Sequence, residues 1–264
     1  MLTNNAVTHE VDKRFERDVS DVAYDRHIFV RLVARKVRFT KVNFHQSSFD
    51  SCYLRNCIFD SCDFTGCRFV GTNLTGSSFS GCNFDYATFE KTQIESDILN
   101  DGCPGLENLK MRFARSLRIN YQQLGDAKAV NMAISIELEA TEAHLYKAWH
   151  SNESYYRKKY SGVRRVQLFF EWLRFRSLDL LWGNGESALK FARAVLVALI
   201  LIAIFEAEAA RQPYWHSVLE TGQVFIGAVS SSSYPRTCLS SLLLVRLVAF
   251  GFLTAIIVKR FNRR

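Results

Sequence analysis

Six histidines occur in the chain, His9, His27, His45, His144, His150 and His216, and no two share a His-x3-His spacing. That absence removes the usual helical metal pair. A phosphate loop is also missing: Gly183-Asn184-Gly185-Glu186 follows no predicted strand and precedes no Gly-Lys-Ser/Thr. Ser187-Ala188-Leu189-Lys190 fits Ser-x-x-Lys, yet the companion motifs of that chemistry are absent. No nucleophile, base and oxyanion donor come together, so the sequence predicts no enzyme, no catalytic residue and no cofactor. Met1–Ser20 is polar and holds no secretory h-region. The cysteine count is seven, an odd number, which predicts reduced thiols in a cytosolic compartment.

What is present is a ladder. A large apolar residue recurs at every fifth position: Phe39, Phe44, Phe49, Leu54, Phe59, Phe64, Phe69, Leu74, Phe79, Phe84, Phe89 and Ile94. Five matches neither the helical period of ~3.6 nor the strand period of ~2. A fixed period of this kind marks a solenoid whose neighbouring coils bury one another. Two residues before each rung lies a small or modest one, including Ser47, Cys52, Cys57, Cys62, Cys67, Thr72, Ser77 and Cys82. Positions i−2 and i of an extended segment face the same side, so each unit offers one large and one small inward residue, then a turn. The cysteines in this slot read as small buried residues, with a Cys-x4-Cys metal site as the sharper alternative.

The rungs that are not Phe are Leu54, Leu74 and Ile94, twenty residues apart. Twenty residues is four units, so one coil has four sides and like residues stack in columns. The twelve units give three coils, ~14 Å tall at ~4.8 Å per coil.

These units resemble the pentapeptide-repeat family, in which small-x-Phe/Leu-x-x repeats form right-handed four-sided β-helices. The resemblance implies that fold for residues 35–99, behind an N-terminal segment and cap at 1–34. After Pro104 and Gly105 the sequence predicts a helical hairpin over 106–150, with one helix at Lys110–Leu124 and a second at Asp126–Trp149.

Charge is uneven. The solenoid is near neutral, while Tyr155–Arg176 carries Arg157, Lys158, Lys159, Arg164, Arg165, Arg174 and Arg176 against Glu171 alone. Beside apolar segments, this belt points to a bilayer with anionic headgroups rather than to nucleic acid. Residues 155–185 read as a basic amphipathic juxtamembrane helix. Val166–Trp182 suits either the headgroup region or packing on the soluble domain.

Two apolar runs follow, giving predicted spans at 188–210 and 238–258, with a basic tail at 259–264. Basic residues flank the outer ends of both, so the positive-inside rule puts both termini in the cytoplasm, at the cell inner membrane. Arg246 within the second span is expected to face a partner helix, water or the interface.

A second resemblance covers this half. Tyr121, Leu124, Gly125 and Asp126 match the helical-hairpin turn, and Gly183, Gly185 and Glu186 the pre-span turn, of pentapeptide-repeat proteins that end in a channel-like membrane pair. In those relatives residues 211–237 correspond to a potassium-channel pore loop. Here Ser217–Val229 would be the pore helix and Ser230, Ser231, Ser232, Ser233 and Tyr234 the candidate filter. The filter glycines are absent and Arg236 replaces an acidic end, so the stacked carbonyls of a potassium filter are not expected. The resemblance implies a homo-oligomer, a tetramer if a channel forms, and a cytosolic protein partner for the solenoid. A tethered scaffold without a pore is the second reading. DNA mimicry, seen in relatives that act on topoisomerases, wants a longer and more acidic rod.

Overall fold

The computed structural model describes residues 7–228 and 236–261. The chain divides after Arg165 into two compact units.

The first unit opens with a parallel β-solenoid of about four turns. One side stacks β1 (Thr8–Val11), β4 (His27–Val30), β7 (Ser48–Asp50), β10 (Arg68–Val70) and β12 (Thr88–Glu90). The next side holds β2 (Arg14–Phe15), β5 (Val33–Arg35) and β8 (Tyr53–Arg55), continued by single bridges from Tyr53 to Asn73 and Asn73 to Gln93. The third holds β3 (Val19–Ser20), β6 (Arg38–Thr40), β9 (Ile58–Asp60) and β11 (Ser78–Ser80). The fourth is a column of bridges through Ala23, Asn43, Asp63 and Asn83.

The twenty-residue period becomes register: Phe39 pairs with Phe59, Phe49 with Phe69 and Ala34 with Leu54. Three sides therefore carry columns of rings and one carries Leu54, Leu74 and Ile94. Ring centroids in the columns Phe39–Phe59–Phe79 and Phe49–Phe69–Phe89 lie 5.0, 5.1, 4.9 and 5.1 Å apart, with planes within 9° of parallel. Rings on adjacent sides of one turn meet edge to face, as Phe59 and Phe64 do at 5.4 Å and 74°. Both arrangements suit the aromatic quadrupole. All twelve rungs belong to one buried interior.

The coil begins at Thr8, inside the segment that the sequence assigned to a cap, and adds more than one turn to the three expected. Two irregularities hide it. Large and small positions exchange at Leu32 and Ala34, both fully buried. The offset between turns is nineteen residues for Thr8–His27 and Phe15–Ala34 but twenty for Val19–Phe39. One residue is therefore missing between Phe15 and Val19, which breaks the fivefold count.

The small slot forms its own hydrogen-bonded ladder. Ser47, Cys52, Cys57, Cys62, Cys67, Thr72, Ser77 and Cys82 each donate to the carbonyl oxygen twenty-three residues earlier, on the turn below. Cys67 Sγ lies 2.9 Å from the Phe44 oxygen and Thr72 Oγ1 3.0 Å from that of Phe49. Thiol and hydroxyl are interchangeable donors here, which is why Ser, Thr and Cys alternate in one column. Each sulfur is aimed at its own carbonyl on its own side.

At each corner, the residue two past the rung is left-handed, from Lys41 (φ 52°) to Lys91 (φ 47°). Gly76 (φ 72°) has a second reason to be glycine: a Cβ there would sit 2.1 Å from Asn56 Oδ1 on the turn below.

The solenoid ends in helices α1 (Ile98–Asp101), α2 (Glu107–Leu124) and α3 (Ala127–His150). A parallel stack leaves unpaired backbone at its last turn. Along most of that rim α2 supplies side chains in place of a further coil. Ser116 Oγ accepts from Phe89 N at 2.9 Å, Gln123 Oε1 from Lys91 N at 2.9 Å, and Asn120 Oδ1 from Thr92 N at 2.7 Å. Positions 116, 120 and 123 share one helix face. Phe113, one turn earlier, places its ring 5.7 and 5.8 Å from Phe84 and Phe89, covering the aromatic columns. Gly125 (φ 75°) ends α2, and Asp126 caps α3 by accepting from Ala129 N at 2.9 Å. Glu137 then binds Arg115 and Arg118 across the hairpin, each at 2.8 Å.

Helix α4 (Ser154–Lys159) follows, then α5 (Val163–Trp182), which runs into the second unit. There Gly183, Asn184 and Gly185 are all left-handed and turn the chain into α6 (Ala188–Ala210). Ser187 is its N-cap, accepting from Lys190 N at 3.2 Å. The Ser-x-x-Lys pattern is thus a helix start. Lys190 reaches back to both oxygens of Asp179 at 2.9 and 2.7 Å. Helices α7 (Tyr214–Ile226) and α8 (Arg236–Phe261) complete the described chain.

Candidate functional site

Helices α6 and α8 each supply 23 residues long and apolar enough to cross a membrane. Their outward residues are large and exposed, among them Leu196, Leu201 and Phe205 on α6 and Leu244, Leu247 and Phe250 on α8. An apolar surface of this extent on two adjacent helices suits lipid or other copies better than water.

Helix α7 lies three residues earlier at each end than the helix expected at Ser217–Val229. Pro213 precedes it and pre-sets the first turn, and Gly227 (φ 81°) closes it. Ser230, Ser231, Ser232, Ser233 and Tyr234 lie outside the described residues.

Two ionisable groups, Arg246 and Glu206, lie within the long apolar helices away from their ends. Arg246 was placed by sequence alone only as a costly charge within a span. Its guanidinium lies against the closing turn of α7: a Cβ on Gly227 would stand 3.1 Å from Nη1 and 3.2 Å from Nη2. Its guanidinium carbon is 5.9 Å from the Phe250 ring centroid. The C-terminal end of a helix carries partial negative charge, so α7 offers this cation an electrostatic partner, and the ring adds a second.

Glu206 falls inside the predicted span at 188–210. The structure places it within α6, fully buried, between buried Ala203 and Ala207. Neither carboxylate oxygen has a hydrogen-bond partner among the described residues. A carboxylate between small residues at i−3 and i+1 was the available signal. Ser217 and Thr221 of α7 are buried as well.

The basic belt divides. Arg157 Nη2 donates to Ala148 O at 2.7 Å and Arg165 Nε to Trp149 O at 2.6 Å, so both bind the last carbonyls of α3. Burial and the nearby Arg165 hold the Arg157 pKa below its ordinary value. These two residues serve as C-terminal caps. Lys159 Nζ lies 3.1 Å from Tyr155 OH, and Lys158, Arg164, Arg174 and Arg176 are exposed. On α5, exposed Val163, Val166, Phe170, Leu173 and Leu181 fall on one helical face, with Arg174 and Arg176 toward its edges.

In the solenoid, burial pushes the Cys52 thiol up to about 11 and raises Cys57 and Cys67 as well. Such thiols stay protonated and unreactive at neutral pH.

No curated protein matches the chain. Among solved structures, a pentapeptide repeat protein from the Arabidopsis thaliana thylakoid lumen is 14% identical, over 35% of this chain and 76% of that one, with a TM-score of 0.23. A trypsin-treated form of QnrB1, a plasmid-mediated fluoroquinolone resistance protein, is 19% identical, over 34% of this chain and 54% of that one, with a TM-score of 0.16. A family model described as a pentapeptide repeat region matches residues 34–102, a stretch that holds all twelve rungs of the ladder.

Proposed function

We propose that this is a non-enzymatic, membrane-anchored repeat protein. Its solenoid docks a protein partner on the cytoplasmic side of the cell inner membrane, and α6 and α8 cross the bilayer and assemble with other copies into a channel-like effector. The observation that carries this reading is the pair of exposed apolar helices with a short helix, α7, between them. The exposed apolar face of α5, edged by arginines, supports its lying among anionic headgroups. A pore would need several copies, four by resemblance, because two spans cannot enclose one.

Arg246 bears on what such a pore would pass. In a cation pathway the negative end of a half-helix is free to face the ion. Here Arg246 already lies at that end of α7. The proposed pore is therefore not potassium-selective. Reconstitution in liposomes with ion and dye flux is the test; a monomeric or dimeric protein that leaks nothing under any stimulus removes the pore.

The same arginine favours a second reading, a tethered scaffold whose spans only anchor the solenoid. Replacing residues 186–264 with an unrelated anchor separates the two, because function retained by the swap supports the scaffold. The near-neutral solenoid argues against DNA mimicry, and inhibition or protection in a gyrase supercoiling assay would restore that alternative.

A further inference from the structure

The rim of the last solenoid turn is left open along β11. Strand β11 is the final strand of its sheet. Ser78 N donates down to Cys57 O at 3.0 Å, and Ser80 O accepts from Ser61 N below at 2.7 Å. Because backbone groups alternate along a strand, the N–H and C=O of Phe79, the C=O of Ser77 and the N–H of Gly81 turn to the opposite, free edge. Corner N–H groups that precede it have acceptors: Gly66 binds Asp85 O, Gly71 binds Glu90 O, and Gly76 binds Glu95 Oε1 at 2.9 Å. Gly81 N has none among the described residues. Phe79 is 9% exposed where Phe39 and Phe59, below it in the same column, are 1% exposed.

Above this edge is a cavity of about 620 Å³, floored by Gly76–Gly81 and walled by Ile94, Glu95, Asp97, Ile98 and Asp101. Its charged lining is wholly acidic, on a chain whose net charge is +8.

We propose that this notch is a strand-addition site for an extended, lysine- or arginine-bearing segment of a partner protein. The segment would lie parallel to β11 as the missing coil would. Its N–H groups would donate to Ser77 O and Phe79 O, and its carbonyls would accept from Phe79 N and Gly81 N. Main-chain bonds supply affinity in this mode and side chains supply selection. The carboxylates of Asp97 and Asp101 select basic residues, and an apolar residue covers Phe79. The proposal rests on the reading of the solenoid as a docking module and names where docking occurs.

The test uses the full chain in detergent and a fluorescein-labelled heptapeptide of alternating lysine and valine between terminal threonines. Saturable binding is expected, with slowed amide exchange at Phe79 and Gly81. The paired substitution Asp97→Lys and Asp101→Lys should weaken it at least tenfold. A peptide N-methylated at alternate residues should not bind, nor should one with glutamate for lysine. Equal binding of the N-methylated peptide, or no loss in the charge-reversed protein with its melting temperature unchanged, overturns the proposal. So does self-association of the chain that the same substitutions abolish, since a second copy would then fill the notch. In the anchor-swap assay, function kept by the charge-reversed protein but lost with the solenoid rejects this site while leaving the docking role intact.

Discussion

Asn120 and Thr92 form a closed pair: the Asn120 amide accepts from Thr92 N at 2.7 Å and donates to Thr92 O at 2.8 Å. Both residues are fully buried. One side chain from α2 thus takes the place of a further coil, bonding Thr92 O as Gln93 N bonds Thr72 O one turn below.

Removing that side chain strands a buried donor and a buried acceptor, each costing about 1–3 kcal/mol. Asn120→Ala is expected to lower unfolding stability by about 2–4 kcal/mol. Asn120→Asp keeps both bonds only while its carboxyl is protonated; once ionised it loses the donor and buries a carboxylate beside Thr92 O, so it is expected to be milder than alanine in acid and worse at neutral pH and above. Urea unfolding at several pH values checks the order.

The corner glycines separate two causes of strain. Gly71 (φ 56°) has open space, its nearest atom being Ser51 Oγ at 3.8 Å from a built Cβ, while Gly76 meets Asn56 Oδ1. Gly71→Ala should cost only the left-handed penalty, about 1 kcal/mol. Gly76→Ala should cost more, and the excess should vanish in the background Asn56→Ala. Thermal melts of the four proteins suffice.

The thiol ladder makes stability depend on alkaline pH. The Cys52 pKa is raised in the folded state, from the ordinary 9.0 to about 11, by burial. The folded form therefore holds its proton more tightly than the unfolded form. This contribution is fully present below pH 9 and is lost as pH climbs from about 9 through about 11. Cys52→Ser keeps the donor to Phe29 O and removes the titration, so its stability should fall less over that window. At pH 8 the buried thiols of Cys52, Cys57 and Cys67 should resist iodoacetamide until the protein unfolds.

Glu206 has no partner among the described residues to offset its burial. Glu206→Gln is expected to raise the melting temperature in detergent, because an unpaired buried charge is removed. A lower melting temperature together with loss of oligomers would mean that a neighbouring copy pairs with this carboxylate.

The solenoid was readable because one inward pair repeats in every unit, so periodicity alone named the twelve rungs and the Leu54–Leu74–Ile94 column. Its first turn was not, since the deletion between Phe15 and Val19 and the exchange at Leu32 and Ala34 each break the count without breaking the packing. The hairpin turn at Gly125 and Asp126 was legible from cap chemistry, as were the long apolar helices from length. The capping triad Ser116, Asn120 and Gln123 was not, because ordinary polar residues on a helix face carry no mark of the backbone they will meet. Arg157 and Arg165 read as free charge for the same reason: nothing in their spacing shows the α3 carbonyls. Arg246 and Glu206 were visible as oddities within apolar runs, but their surroundings depend on how α7 folds back.

The uniform register has a mechanical corollary. Because every interior position from Val19 onward repeats at twenty residues, a whole turn can be inserted or removed there without re-facing a single side chain, and each such step moves the capping helices by ~4.8 Å. The solenoid is a spacer with discrete settings. An insertion of one, two or three five-residue units would rotate the cap to a different side, carrying Ser116, Asn120 and Gln123 away from the rim they close.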